Sequence, residues 1–119
     1  MFSINPVTVP TLKSYNNGKY GVFLGKVGVF DTNEPAITEI NDNTGGGLVV
    51  DNNSIATIRD AHIYGNTYDD HPERNVLVSF GSHVDLVDND IEGDKVYCDA
   101  YIGNYLRGDI WFCSLFERL

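Results

Sequence analysis

The chain has 119 residues, with 17 Asp and Glu against 8 Lys and Arg, which gives a formal net charge of −9. This surplus of carboxylates argues against direct binding to nucleic acid, which needs Lys and Arg to neutralise phosphates, and against binding to anionic membranes. It suits divalent cations or a basic protein surface such as that of a nucleic-acid-binding complex, although solubility alone would also explain it. The length predicts one domain, residues 1–119.

Residues 1–19 are predicted to form an N-terminal cap over the open end of a stacked fold. Pro6, Pro10 and the turn sequence Asn16-Asn17-Gly18 limit regular structure there to one short strand. The segment has neither the basic region nor the apolar stretch of a signal peptide, so none is expected. No apolar run in the chain approaches the length of a membrane span.

Residues 20–38 contain two runs in which apolar side chains alternate with others, which predicts strands. Residues 48–94 contain a sequence repeat, described next. Shifting residues 20–38 forward by one period of that repeat places Tyr20 on Leu48 but Pro35 on Ile63. The register therefore weakens along the segment. It predicts either a degenerate first coil or a hairpin packed on the coil.

Residues 48–94 contain an internal repeat, in which Leu48–Asn66 (LVVDNNSIATIRDAHIYGN) aligns without gaps on Val76–Asp94 (VLVSFGSHVDLVDNDIEGD). Apolar residues occupy the same slots in both copies and alternate within each. Strands have this pattern, because their successive side chains point to opposite faces. Each copy is therefore predicted to form three short strands around one interior, with Asn, Asp and Gly at the corners, where left-handed backbone is needed.

Three short strands per turn with Asn or Gly at the bends resemble the coils of the pectate-lyase-like superfamily. Residues 75–93 (NVLVSFGSHVDLVDNDIEG) carry this resemblance best, and it covers about residues 48–94. It implies an all-β fold, a short right-handed parallel β-helix of about three coils over residues 20–103 with capped ends. An antiparallel β-sandwich, whose short strands also alternate between turns, is the alternative.

Two polar loops, residues 39–47 and 67–75, lie one repeat apart and are predicted to leave the coil as neighbours at the same corner, with Asn43 stacked on His71. Their acidic and imidazole side chains are a candidate cation site, because carboxylates suit Ca²⁺, but their spacing matches no EF-hand. Metal binding is therefore left open. These side chains are Asp42, Asp69, Asp70, His71 and Glu73. No phosphate-binding or dinucleotide motif occurs, so no cofactor is predicted.

Residues 95–103 alternate Val96 and Cys98 with Tyr97 and Asp99, which predicts one apolar face and one outward, tyrosine-rich face. Residues 104–119 are predicted to close the far end of the coil as a cap or to form a subunit interface, so a homo-oligomer is left open. This segment would be either a short helix beginning at Asp109 or a last strand.

Cys98 and Cys113 are the two cysteines of the chain. Their number and spacing favour buried, small hydrophobic side chains over a disulfide or a catalytic thiol. This favours a reducing, cytoplasmic location in a host cell, or a virion part made in the cytoplasm.

Candidate partner-binding residues lie in the second copy of the repeat and in the strand after it. They combine carboxylates, which would steer a basic partner, with tyrosines, which are frequent in protein interfaces. They are Asp85, Asp88, Asp90, Glu92, Tyr97, Asp99 and Tyr101. The same carboxylates would suit acid–base chemistry on a sugar, but about three coils make no long substrate groove, so no catalytic residue is predicted.

The first functional hypothesis is a non-enzymatic acidic protein that occupies the basic surface of a nucleic-acid-binding complex. In size and charge the chain resembles small acidic inhibitors that phages use against host defence, including anti-CRISPR proteins. The alternative is a structural or carbohydrate-contacting β-helical module of a viral tail or spike, where short coils trimerise. A second alternative is a calcium-dependent polysaccharide lyase or hydrolase.

Overall fold

The computed structural model of the protein describes residues 8–99, 103–110 and 113–115. These residues form an all-β parallel solenoid of about three turns, which confirms the predicted fold class. The paired strands all run parallel, which excludes the antiparallel sandwich. The strands are β1 Thr8–Tyr15, β2 Val22–Leu24, β3 Val29–Asn41, β4 Leu48–Val50, β5 Ile55–Arg59, β6 Ala61–Tyr64, β7 Val76–Val78, β8 His83–Val87, β9 Asp90–Ile91, β10 Val96–Cys98, β11 Tyr105–Gly108 and β12 Cys113–Leu115, with one 3-10 turn at Glu92–Asp94.

The strands stack into three walls around one interior. The first wall is a five-stranded sheet in the order β2, β4, β7, β10 and β12. The long strand β3 bends through two walls, because its first part pairs with β5 and its last part pairs with β6. The second wall therefore contains β3, β5, β8 and β11, and the third wall contains β3, β6 and β9, with β1 added along β3.

The register of the sequence repeat is confirmed in all three walls. Leu48 pairs with Val76 in the first wall and Ile55 with His83 in the second. In the third wall, Ile63 pairs with Ile91. Because paired residues are separated by the same number of positions in every wall, the two copies form consecutive coils of the solenoid.

Residues 20–41 form a true first coil, but its register differs from the predicted one. Val22, rather than Tyr20, pairs with Leu48, and Ile40, rather than Pro35, pairs with Ile63. The number of residues that separates paired positions of neighbouring coils is thus smaller here than in the repeat. It is smaller again in the third wall than in the first. The cause is the long strand β3, which runs from the second wall into the third without a break. The next coil makes the same passage with a sharp corner at Asp60 and therefore needs fewer residues.

Inward-facing apolar side chains fill the interior, as alternation predicts. In β5, Ala56 and Ile58 are fully buried while the flanking residues are exposed, and Val84 and Leu86 repeat this pattern in β8. The central strands β4, β7 and β10 of the first wall are buried on both faces, because the loop at residues 67–75 packs against their outer side. The solenoid thus has one central core and a small second core outside the first wall.

A ladder of asparagines, of which all but Asn17 are buried, connects the coils at the corner between the third and first walls. The side-chain amide of Asn17 donates to Oδ1 of Asn43 at 2.9 Å, and that of Asn43 donates to Oδ1 of Asn66 at 2.9 Å. Asn66 donates in turn to Oδ1 of Asn75 at 2.8 Å, and Asn75 to the carbonyl of Glu92 at 3.0 Å. Because Asn43, Asn66 and Asn75 are fully buried, each amide must find partners inside the protein, and the ladder supplies them.

Serines perform a similar role at the corner between the first and second walls. Oγ of Ser54 accepts from the backbone N–H of Gly28 at 3.0 Å, and Oγ of Ser82 accepts from that of Ser54 at 3.2 Å. Each hydroxyl also donates to a carbonyl three residues earlier, at Asp51 or Ser79. The alignment of Ser54 with Ser82 in the sequence repeat therefore reflects a corner in which polar backbone groups are buried.

A disulfide joins Cys98 of β10 to Cys113 of β12, with 5.4 Å between the two Cα atoms. The prediction of two free, buried cysteines is therefore wrong. Sequence spacing could not show this, because the two strands become neighbours only through the turn of the coil that separates them. Disulfides persist in oxidising surroundings, so the cysteines no longer support the cytoplasmic part of the predicted location, which stays a prediction.

The C-terminal segment continues the stack beyond the predicted coils. Strand β11 pairs with β8, and β12 pairs with β10, both in parallel. Of the two predicted forms of this segment, the last strand is correct over Cys113–Leu115. The N-terminal segment contributes β1, which lies along β3.

Replacing Asn66 with Ala should lower the free energy of unfolding by about 3 kcal/mol, because several buried donors and acceptors of its neighbours lose their partner. Denaturant unfolding followed by circular dichroism measures this. Asn41, whose amide bonds to Asp42 on the exposed surface, is the control, and its replacement with Ala should change stability by less than about 0.5 kcal/mol. Equal losses in the two variants would contradict a structural role for the ladder.

Replacing Cys98 with Ser should lower stability by about 3 kcal/mol, since the disulfide closes a loop with a sequence separation of 15 residues. The thermal midpoint of the natural chain should fall when dithiothreitol is added. The midpoint of the Cys98→Ser variant should not respond to the reductant. If dithiothreitol leaves the thermal midpoint of the natural chain unchanged, the disulfide does not contribute to stability.

Candidate functional site

Three exposed carboxylates occupy successive coils at the corner between the second and third walls. Asp60 follows β5 and Asp88 follows β8, both with left-handed backbone, at φ values of 52° and 56°. The N–H of Asp60 donates to the carbonyl of Val87 at 3.2 Å, which fixes the spacing of these two corners. Asp109 follows β11, and its carboxylate accepts from the N–H groups of Asp88 and Asn89 at 2.9 and 2.8 Å.

Two further carboxylates extend this corner onto the outer side of the third wall. Asp90 lies in β9 with a side chain that is 80% exposed, and its Oδ2 lies 3.5 Å from Nε2 of His62. Glu92 is exposed, and its Oε1 accepts from the N–H of Gly65 at 2.9 Å. We call these five residues the acidic ridge: Asp60, Asp88, Asp90, Glu92 and Asp109.

Asp85 lies apart from the acidic ridge, on the outer side of the second wall. Its Oδ2 accepts from Nη2 of Arg107 at 2.6 Å, so its charge is compensated. The hydrogen bond to Asp85 and the charge of its carboxylate raise the pKa of the Arg107 guanidinium. Asp85 therefore belongs to a polar pair rather than to a surface of uncompensated negative charge.

Tyr97 and Asp99 are buried, with 7% and 4% of their surface exposed, so they lack the accessibility that the predicted partner-binding role needs. Tyr97 does point away from the core, but the guanidinium of Arg74 lies 3.8 Å above its ring. Asp99 accepts from the N–H of Phe80 at 3.3 Å and from Nδ2 of Asn104 at 2.7 Å, which stabilises a corner. Tyr101 lies outside the described residues.

The loop at residues 67–75 explains the burial of Tyr97. Its backbone bonds to the preceding loop, from the N–H of Gly46 to the carbonyl of Thr67 at 2.7 Å, so the predicted proximity of the two loops is confirmed. Tyr68 then packs on the outer side of the first wall with Val49 and Leu77. The loop covers the outer side of this wall, and we call residues 67–75 the strap.

The acidic residues of the two loops do not gather as predicted. Asn43 stacks on Asn66 rather than on His71, because residues 67–74 leave the coil and Asn75 re-enters it next to Asn66. Asp42 accepts from the amide of its neighbour Asn41 at 2.6 Å. Within the described ranges, no three His, Cys, Asp or Glu side chains are grouped so that they would hold a metal ion.

The sequence repeat predicted part of the acidic ridge and missed the rest. Asp60 and Asp88 occupy the same slot of the two copies, so their stacking follows from the repeat. Asp109 follows Asp88 after a shorter coil, so no repeat signal marks it. Tyr105 and Arg107, which line a depression beside Asp85, were missed for the same reason, whereas His83 lies within the repeat opposite Ile55 and carries no motif that marks a site.

None of the helical structure described is long and apolar enough to cross a membrane. Comparison of the chain with protein-family models, with curated proteins and with solved structures finds no match.

The contact between Arg74 and Tyr97 should stabilise the strap by about 1 kcal/mol, as expected for a partly buried cation–π pair. A double-mutant cycle with Arg74→Ala and Tyr97→Leu, followed by urea unfolding, measures this coupling. Additive losses in the double variant would show that the two side chains do not interact.

Proposed function

We propose that the protein is a non-enzymatic binding protein whose acidic ridge occupies a basic surface of a partner protein. The observation that carries the proposal is the stacking of Asp60, Asp88 and Asp109 on successive coils, with Asp90 and Glu92 beside them. Neighbouring parallel strands lie about 4.8 Å apart, so the carboxylates repel one another at short range. A cationic partner relieves this repulsion on binding.

The rigidity of the solenoid supports this use of the acidic ridge. Two like charges about 5 Å apart in water repel by roughly 0.8 kcal/mol. This repulsion is already present in the folded protein before a partner binds. Backbone hydrogen bonds hold the main chain of Asp60 and Asp88 at their corners, so the backbone has little further order to gain when a partner arrives. A fixed row of negative charges increases the rate at which a positively charged protein associates with it and orients that protein in the complex.

A nucleic-acid-binding protein is the partner class that suits this surface best. Such proteins present Lys and Arg to phosphates, and a fixed row of carboxylates competes for the same side chains. The net charge of −9 disfavours a partner that is itself acidic. In this proposal the protein acts as the small phage inhibitors do, including the anti-CRISPR proteins, on a coil of the pectate-lyase-like pattern.

The test is a matched pair of double variants. Asp60→Asn with Asp88→Asn removes two charges from the acidic ridge. Asp69→Asn with Asp70→Asn removes two from the strap. All four aspartates are exposed and have left-handed backbone, which Asn tolerates, so the variants differ mainly in the location of the lost charge. Partners captured from host-cell lysate by the natural chain are identified by mass spectrometry, and their affinities for both variants are measured.

The ridge variant should bind the captured partner at least about tenfold more weakly, and the strap variant should bind it as the natural chain does. Duplex DNA or RNA should displace the chain from that partner. Equal losses in both variants would indicate that only overall charge matters. Unchanged binding of the ridge variant would refute the proposal.

A further inference from the structure

A shallow depression of about 280 Å³ lies on the outer side of the second wall, across β5, β8 and β11. Two parallel rows of side chains line it, because residues that pair across the three strands project from the same face. The first row is Ile55, His83 and Tyr105, and the second is Thr57, Asp85 and Arg107.

The first row is an apolar and aromatic surface that the protein leaves in contact with water. Ile55 is 46% exposed and Tyr105 is 51% exposed, unusually much for large apolar side chains in a strand. The rings of His83 and Tyr105 lie side by side, with centroids 5.3 Å apart. An exposed aromatic surface of this kind favours a ligand with a flat apolar face.

The second row supplies a hydrogen-bond donor and an acceptor next to each other. Arg107 contacts Asp85 through Nη2, and its side chain is 66% exposed, so donors of its guanidinium face the depression. The carboxylate of Asp85, whose Oδ2 accepts from Arg107, also lines the depression and supplies the acceptors of this row. Because the two charges compensate, the row favours a neutral polar ligand.

We propose that this depression binds a single ring of a neutral saccharide. The C–H face of the sugar stacks on Tyr105 and contacts the neighbouring ring of His83. Of two neighbouring hydroxyls, one donates to Asp85 and the other accepts from Arg107. The volume lies at the lower limit for ligand sites, which suits one ring rather than a long chain.

Other ligand classes fit the same residues less well. A purely apolar ligand would remove water from the Arg107–Asp85 pair without replacing its hydrogen bonds. An acidic sugar or a nucleotide would bring negative charge to a protein of net charge −9, beside an arginine that is already paired. A neutral diol satisfies the donor, the acceptor and the ring together.

The experiment titrates the ¹⁵N-labelled chain with maltose, cellobiose and lactose, and follows its amide resonances. At least one sugar should shift the amides of β5, β8 and β11, with a dissociation constant on the order of 1 mM, as expected for one shallow site. Adenosine monophosphate is the competing probe. Shifts at these amides from the nucleotide and none from the sugars would overturn the proposal.

Three variants assign the binding to named side chains. Tyr105→Ala and Arg107→Gln should each weaken sugar binding at least tenfold, whereas Tyr105→Phe should retain it. Arg59→Gln is the matched control, because Arg59 is an exposed arginine of the same wall that does not line the depression. The amide spectrum of each variant shows whether it is folded.

The result is independent of the proposed function. The variant with Asp60→Asn and Asp88→Asn should bind sugar as the natural chain does, and Tyr105→Ala should leave partner binding through the acidic ridge intact. Absence of shifts with all three sugars, or shifts that persist in Tyr105→Ala, would overturn the saccharide site and leave the acidic ridge untouched.

Discussion

The hydrogen-bonded asparagine ladder is the constraint on which the rest of this structure depends. A solenoid of so few turns has long open corners, and each corner contains backbone groups that must be bonded once they are buried. Asn43, Asn66 and Asn75 meet this requirement with one amide each. Oδ1 of each accepts from the preceding asparagine of the ladder and Nδ2 donates to the next partner, while Nδ2 of Asn43 and of Asn66 also donates back to the carbonyls of Ser14 and Ile40. The ladder thus sets the vertical register of the coils at the corner where the loops leave, and it allows the loops to differ in length without disturbing the walls.

A fixed register turns sequence positions into surface rows. Residues one coil apart lie above one another, so aspartates that follow corresponding strands become the acidic ridge. Side chains of β5, β8 and β11 become two straight rows beside the depression in the same way. These two surfaces share a wall but differ in chemistry, because Arg107 compensates Asp85, while the row of Asp60, Asp88 and Asp109 contains no basic residue. Function in this protein is therefore proposed to follow from which residue types fall in the same row.

The walls could be predicted from the sequence, while the corners and the ends could not. Alternation within Leu48–Asn66 and its repetition in Val76–Asp94 predict the strands and the interior, since inward positions must be apolar in every coil, and the period favours stacked coils over the antiparallel alternative. The corners depend on insertions: residues 67–74 leave the coil, so Asn43 meets Asn66 rather than His71. Burial of Tyr97 depends on the strap formed by those inserted residues, which alternation along β10 does not reveal. Asp109 and Tyr105 lie in a shorter coil with no repeat partner, and the disulfide joins strands that only the coil brings together.

The position of the disulfide divides the molecule into two parts that open differently. The bond joins β10 to β12, so the whole of β11 lies inside the covalent ring that Cys98 and Cys113 close. That ring contains Tyr105, Arg107 and Asp109, whereas Asp60 and Asp88 belong to coils held by the asparagine and serine ladders. Fraying of the last coil would therefore remove one side of the depression and one carboxylate of the ridge, yet leave the central coils closed. Reduction of this one bond is therefore expected to favour fraying of β11, the last strand of the second wall, ahead of the central coils.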